Sequence, residues 1–324
     1  MNRSSKDILN NFIENLTTLL NKNKLPPWQK PWYPQFGLEN SKPHNPITQQ
    51  PYRGLNALHL SLISDILGFD DPRWMGFHQA QQMGWKIKSG EHGTAILLPI
   101  TQLKNSDVRD DVIEQNRHSL PEKIIQFRTT YVFNAQQITG IPTLQSISPD
   151  TVNPFKTIKL EKIAYQLGIK VIETASNRAY YAPHLDIIKL PLRHQFINEY
   201  ARNSTFAHEL AHASGNEHRL ARNQSGEFGS DAYCIEEITA EIGAYLLCRE
   251  LGLHFLADHP DQTDEQHLAY TAHWINILKN DPQCIGLAIS QGNEAAKFLN
   301  QQYQIQVLLE DNQLIDNQST KLTT

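Results

Sequence analysis

Phe206-Ala207-His208-Glu209-Leu210-Ala211-His212-Ala213-Ser214-Gly215 is the stretch on which the reading of this chain turns. On an α-helix, positions four apart lie on one face about one turn from each other. The imidazoles of His208 and His212 can therefore converge on a single cation. Glu209 then sits beside that cation without ligating it, placed to take a proton from a water. Phe206, Ala207, Leu210 and Ala211 surround the pattern with apolar side chains, as a helix at the buried floor of a cleft requires. Gly215 stands in a helix-stop position, and the pattern predicts a helix from Gln195 to Ser214.

Downstream, Tyr233-Cys234-Ile235-Glu236-Glu237-Ile238-Thr239-Ala240-Glu241 opens a second helix, predicted over Cys234–Leu251. Zinc held by two histidines, one glutamate and a water is a complete catalytic set. Glu237 and Glu241 are i and i+4 and share a face, whereas Glu236 is expected to point elsewhere. Glu237 is therefore assigned to Zn2+, and Glu241 to an outer position orienting a histidine N–H. The plainer alternative is a solvated acidic face; the apolar Ile238, Ala240, Ile242 and Ala244 argue against it. His218 has the wrong spacing for a third histidine ligand of the HExxHxxGxxH kind and is read as a surface residue, as is His184.

Working outward, residues 139–155 contain Pro142, Pro149 and Pro154 and little periodicity, which places a domain boundary there. The result is an α+β chain of two domains, a mixed unit over 1–145 and a second unit over 150–309, with a disordered tail at 310–324. The second unit begins with a helix and a strand, then strand or hairpin residues from Ala179 to Pro191. Further helices are predicted over Glu265–Leu278 and around Asn293–Leu299. In the first unit, Ile8, Phe12, Leu16 and Leu20 mark an amphipathic helix. Pro-rich loops and a helix ending at Leu67 follow, then a helix over Asp71–Gly84. A β-hairpin is predicted to turn at Ser89–Gly93, a polar insertion spans Gln102–Pro121, and a strand runs through Ile125–Phe133.

Composition narrows the class. Of 324 residues, 40% are hydrophobic and 19% charged, as in soluble globular proteins. No run of 18 apolar residues predicts a membrane span, and the N-terminus lacks the apolar stretch of a secretory signal. Cys234, Cys248 and Cys284 lie far apart with no CxxC pair, so a reducing, cytoplasmic setting is expected and no sulfur site for metal. The net charge of −5 divides into +3 for residues 1–145 and −8 for the rest, a weak nucleic-acid signal by itself.

The first unit carries no catalytic constellation; what it has is aromatics. Trp28, Trp32, Trp74 and Trp85 are interleaved with Lys30, Arg53, Arg73, Lys86 and Lys88. Exposed rings beside basic side chains hold bases and backbone in sequence-tolerant single-strand binders. The competing reading is that the rings fill a small core. Trp28, Trp32, Arg53, Trp74, Trp85, Lys86 and Lys88 are the candidate nucleic-acid contacts.

The chain resembles the ArdC family of plasmid- and phage-borne antirestriction proteins. The resembling segments are Pro27-Trp28 with Pro31-Trp32, Tyr52-Arg53-Gly54-Leu55-Asn56, the stretch with Gln79-Ala80, Gly84-Trp85 and Gly90-Glu91-His92-Gly93-Thr94, Val132-Phe133-Asn134-Ala135-Gln136-Gln137, the His208–Gly215 motif, Arg219-Leu220-Ala221-Arg222 and Glu236–Glu241. They span residues 10–255. The resemblance implies an N-terminal single-stranded-DNA-binding domain fused to a zincin-like metallopeptidase domain. It also implies protection of incoming mobile-element DNA from host restriction after conjugation or infection. By position, His208, Glu209, His212 and Glu237 match its zinc and catalytic residues. Two rivals stay open: a non-catalytic single-strand binder with a structural zinc domain, and a zinc protease whose N-terminal domain binds protein.

Overall fold

Ile8, Phe12, Leu16 and Leu20 recur at three- and four-residue spacing, and α1 (Ser5–Leu20) turns all four inward, none more than 2% exposed. What they meet is unexpected: the buried cluster containing Phe12, Leu16 and Leu20 also holds Leu58, Leu160, Ile188, Phe206, Leu210, Ile242, Ile285 and Leu299. The first helix is thus packed into the core of the C-terminal unit. The two units separate along the sequence but share a hydrophobic core. The structure, a computed structural model, describes residues 5–22, 42–103, 123–144, 158–176, 178–196, 198–226, 231–253 and 283–321. Trp28, Trp32, the predicted helix 265–278 and most of the polar insertion lie outside these residues.

After α1 come α2 (Gly54–Leu67), β1 (Trp74–Gly76), α3 (Phe77–Gln82), β2 (Lys86–Ile87), β3 (Thr94–Leu103), β4 (Lys123–Asn134) and β5 (Ile138–Thr139). The predicted helix over Asp71–Gly84 is shortened to Phe77–Gln82 and preceded by the three-residue β1, because Trp74 pairs with Asn134 and packs its ring on Leu60, Ile96 and Val132. The predicted hairpin does not form either. β2 pairs with β5, and β3 pairs antiparallel with β4 from Thr94↔Val132 to Leu103↔Lys123. The loop at Ser89–Gly93 is no tight two-residue turn, so the longer-range partners win. Asn56 clamps α2 onto β3 by donating to the Leu97 carbonyl at 2.7 Å and accepting from the Leu97 N–H at 2.9 Å.

The second unit comprises α4 (Ile158–Gln166), β6 (Lys170–Thr174), β7 (Tyr180–Ala182), β8 (Ile187–Pro191), α5 (Glu199–Ser214), α6 (Asp231–Glu250) and α7 (Gln283–Lys321). Its sheet has the order β6-β8-β7, β6 parallel and β7 antiparallel to β8. The short helix predicted at Asn293–Leu299 is the middle of the 39-residue α7. The expected disorder of 310–324 is corrected through Lys321. No Gly or Pro interrupts that segment, and Glu310 ties it down by pairing with Lys162 and accepting from Gln306. Among the described residues, no helix is long and apolar enough to cross a membrane.

Candidate metal centre

Small residues bring the site's helices together. A methyl group on Gly243 of α6 would lie 3.2 Å from the Ala211 Cβ of α5, and one on Gly292 of α7 only 2.9 Å from Ile242. These close approaches let α6 lie tightly between α5 and α7. On α5, begun by the Asn198 side chain accepting from the Ala201 N–H at 2.9 Å, His208 and His212 face α6.

The two imidazole Nε2 atoms are 3.0 Å apart, and each lies 3.6 Å from a Glu237 carboxylate oxygen. The donor atoms of His208, His212 and Glu237 all fall within 4.8 Å of one another, the one such convergence among the described residues. Two imidazole nitrogens and a carboxylate oxygen suit a transition metal such as zinc or manganese. Three protein donors leave room for a water or substrate. Cys248 and Cys284 are buried in the core, where they serve as small apolar side chains.

The charges around the site favour a cation. Burial alone would lower the His208 pKa, but its hydrogen bond to Glu237 and the charges of Glu209, Glu237 and Glu241 outweigh it and raise the value to about 9. Burial also tends to raise the Glu237 pKa, yet His208 and His212 hold it below the ordinary value. Glu209 is 6% exposed, and burial pushes its pKa up against both imidazoles and the backbone N–H of Tyr181.

The expectation that Glu236 points elsewhere is corrected. Glu236 Oε1 lies 3.1 Å from His212 Nδ1, in position to orient that ring. Glu241 contributes its charge near His208. Glu236 is held in turn by Arg222, whose Nε and Nη2 donate to its two oxygens at 2.9 and 2.8 Å, and by Gln224 Nε2 at 2.9 Å. Burial would raise the Glu236 pKa, but Arg222 and His212 bring it down to about 2. Arg222 also donates to the Ala211 carbonyl at 2.6 Å and Gln224 to the His212 carbonyl at 2.7 Å, so the same pair closes the end of α5.

Gly215 stands at the expected stop, as the C-cap of α5, and serves a second purpose there. Its φ of −80° is open to any residue. A Cβ there would lie 2.7 Å from both Arg222 Nη2 and Gln224 Nε2. Its lack of a side chain makes room for the clamp on Glu236. Arg222 and Gln224 were missed as site residues; the available signal was the Arg219–Arg222 segment itself, which returns toward the helix it follows. Nearby, Arg219 grips Asp186 with two hydrogen bonds at 2.7 and 2.8 Å. His184 is exposed, and so is the His218 side chain at 84%.

The nucleic-acid candidates scatter. Trp74 is fully buried, with Phe69 edge-on to its ring at 5.8 Å, so it has no face for a base. Trp85 is half-buried against Met75, Ala80 and Ile138. Arg53, Lys86 and Lys88 are exposed, and Lys88 Nζ donates to the Gln136 carbonyl at 2.7 Å.

Comparison with known proteins covers both units. Residues 6–133 match the family profile of the N-terminal domain of anti-restriction factor ArdC, and residues 158–291 that of a zincin-like metallopeptidase. The chain is 35% identical over 268 residues to a DNA primase TraC of Escherichia coli, and 34% identical over 288 residues to another. These alignments take in 79% and 84% of the chain but only 17% and 25% of the primases, so it spans a quarter of their length or less. Protein y4eC of Sinorhizobium fredii is 30% identical over 277 residues, 85% of this chain and 86% of y4eC. The metal-free crystal structure of antirestriction protein ArdC from plasmid R388 superposes with a TM-score of 0.68 at 26% identity, covering 92% of this chain and 98% of that one. Its Mn(II)-bound structure gives 0.67 at 25% identity, covering 91% and 97%.

Proposed function

The chain belongs to the ArdC family of antirestriction proteins, an ArdC-type N-terminal unit joined to a zincin-like one, and from that premise we propose that it binds single-stranded DNA, holds zinc at His208, His212 and Glu237, and protects incoming mobile-element DNA. The observation that carries the metal half is the convergence of those three donors within 4.8 Å, with buried Glu209 on the same helix. A bound zinc ion supplies Lewis acidity toward a carbonyl and a water that is easier to deprotonate.

The protein's own contribution is positioning. Glu209 is the general base, held by the Tyr181 N–H on β7 and buried beside the two imidazoles. Glu236, clamped by Arg222, fixes the His212 ring so that its Nε2 faces Glu237. β7 pairs only with β8 among the described residues and lies beside Glu209; the substrate class we assign to a zinc-activated water there is a polypeptide carbonyl.

The test is metal content and hydrolysis together. Elemental analysis should find about one zinc per chain. His208→Ala and His212→Ala should each abolish stoichiometric binding, and Glu237→Ala should weaken it. Glu209→Gln should keep the metal and lose hydrolysis of an unfolded protein substrate. Loss of metal from Glu209→Gln would refute its role as base, and manganese bound in preference to zinc would refute the assigned ion. Metal retained in the wild type with no hydrolysis would favour the non-catalytic reading. Conjugative transfer of unmodified plasmid into a restricting recipient, with and without the protein, tests the protective role.

A further inference from the structure

A groove of about 1340 Å³ runs between the face of the β3–β4 sheet, the start of α2 and the side of α7. It exceeds the ~300–1,000 Å³ of a small-molecule pocket. Three rings stand in it with much of their surface in solvent: Phe77 at 50%, Phe127 at 56% and Tyr131 at 46%. Phe127 and Tyr131 are four residues apart on β4 and therefore on one face, roughly 13 Å from each other at the strand rise. Among the described residues, the ionisable side chains lining the groove are Lys6, Arg53, His78 and the two tyrosines, with no Asp or Glu, although the chain as a whole carries a net charge of −5.

We infer that this groove is the single-strand site and that it is composite, one wall coming from the N-terminal unit and the other from α7 of the zincin-like unit. The inference rests on the DNA-binding reading above and locates it. Rings that stay exposed suit an occupant with flat faces, and described lining residues that include Lys6 and Arg53 and no carboxylate favour a polyanion. Single-stranded DNA offers both; a duplex keeps its base faces stacked inside, and an extended polypeptide lacks the charge. α7 is part of the wall by contact. Ser290 and Asn293 line the groove, Asn293 lies 3.6 Å from the position of a Cβ on Gly54, and Gly286 admits Leu9 of α1 so closely that a methyl there would be 2.9 Å away.

The experiment is fluorescence anisotropy of a labelled oligothymidylate with the full chain, its folding checked by circular dichroism. Tyr131→Ala and Phe127→Ala should each weaken binding about tenfold. Arg53→Ala should reduce the salt slope by about one. Ser290→Glu, an exposed change on α7, should weaken binding several-fold through charge alone, while Lys170→Ala, an exposed cation on β6 outside the groove, should not. A wild-type chain that ignores the oligonucleotide at low salt sinks the DNA reading itself. Binding that survives Tyr131→Ala and Ser290→Glu leaves DNA binding standing and overturns the groove. Preference for unfolded casein over the oligonucleotide, lost in the same variants, would give the groove to polypeptide and overturn it too.

Discussion

Replacing Gly215 by alanine separates backbone reasoning from packing. At φ −80° and ψ −6° the backbone accepts alanine without strain. By itself the change should stabilise the protein by about 0.4–1 kcal/mol, through the unfolded state. The new methyl, however, would lie 2.7 Å from Arg222 Nη2 and Gln224 Nε2 and 2.8 Å from Arg222 Cζ, against an ordinary contact of 3.4 Å or more. Both side chains must retreat by most of an ångström, out of hydrogen bonds now 2.6–2.9 Å long. A hydrogen bond to a charged group contributes about 1.5–3 kcal/mol. Losing one such bond to Glu236 outweighs the backbone gain, and the net expectation is a loss of about 1–2 kcal/mol. Freed from its clamp, Glu236 no longer fixes the His212 ring, and metal affinity should fall about 10–100-fold. Urea unfolding measures the first quantity and competition with a chromogenic chelator the second. In an Arg222→Ala, Gln224→Ala background the same substitution meets open space and should be neutral or stabilising. A Gly215→Ala protein as stable as the wild type, binding metal equally well, would refute the clamp.

His59 is 2% exposed beside Phe12, and burial lowers its pKa to about 4. The unfolded chain binds this proton first, so its contribution is complete above the unfolded pKa near 6.5 and falls away toward pH 4, by up to about 3 kcal/mol. Urea titrations at pH 7 and 5 should show a drop that His59→Leu reduces; an equal drop in both proteins refutes the assignment. Phe12→Ala should cost about 3–5 kcal/mol and, because α1 lies in the shared core, lower the midpoint of metal release with it. A metal centre indifferent to Phe12 would restore two independent domains. Glu236→Gln should lower metal affinity about 10–100-fold and Glu241→Gln by less; the reverse order, read by chelator competition, would make Glu241 the principal orienting residue.

The helix of His208 and His212 and the helix of Glu237 were legible because a four-residue spacing is a local property of one helix. Which of two adjacent glutamates turns toward α5 was not. Glu236 and Glu237 point about 100° apart on α6. They straddle the site because Gly243 and Gly292 set how α6 rolls between its neighbours. Arg222 reaches Glu236 only through a loop in which Ala221 takes φ 49°, a geometry the sequence does not announce. In the N-terminal unit, β-pairing was misjudged because β2 finds its partner some 50 residues away, at β5. Proximity of Trp74 to Arg73 read as a binding surface; Arg73 instead makes a bidentate pair with Asp71, and the ring is core. The rings that do face the groove, Phe77, Phe127 and Tyr131, had no tryptophan-like prominence in the sequence.

α1 has a history on the ribosome that its packing imposes. Its apolar stripe leaves the exit port well before several of its partners, Ile285, Ile289 and Leu299 among them, which are made some 280 residues later. At ~5–20 residues per second, synthesis keeps that stripe waiting roughly a quarter of a minute to a minute. During that interval the nascent helix is a sticky surface, open to chaperones or to the α1 of a neighbouring chain. The yield of native protein in the cell is therefore expected to depend on translation speed and on holdase capacity more steeply than the stability of the finished molecule suggests.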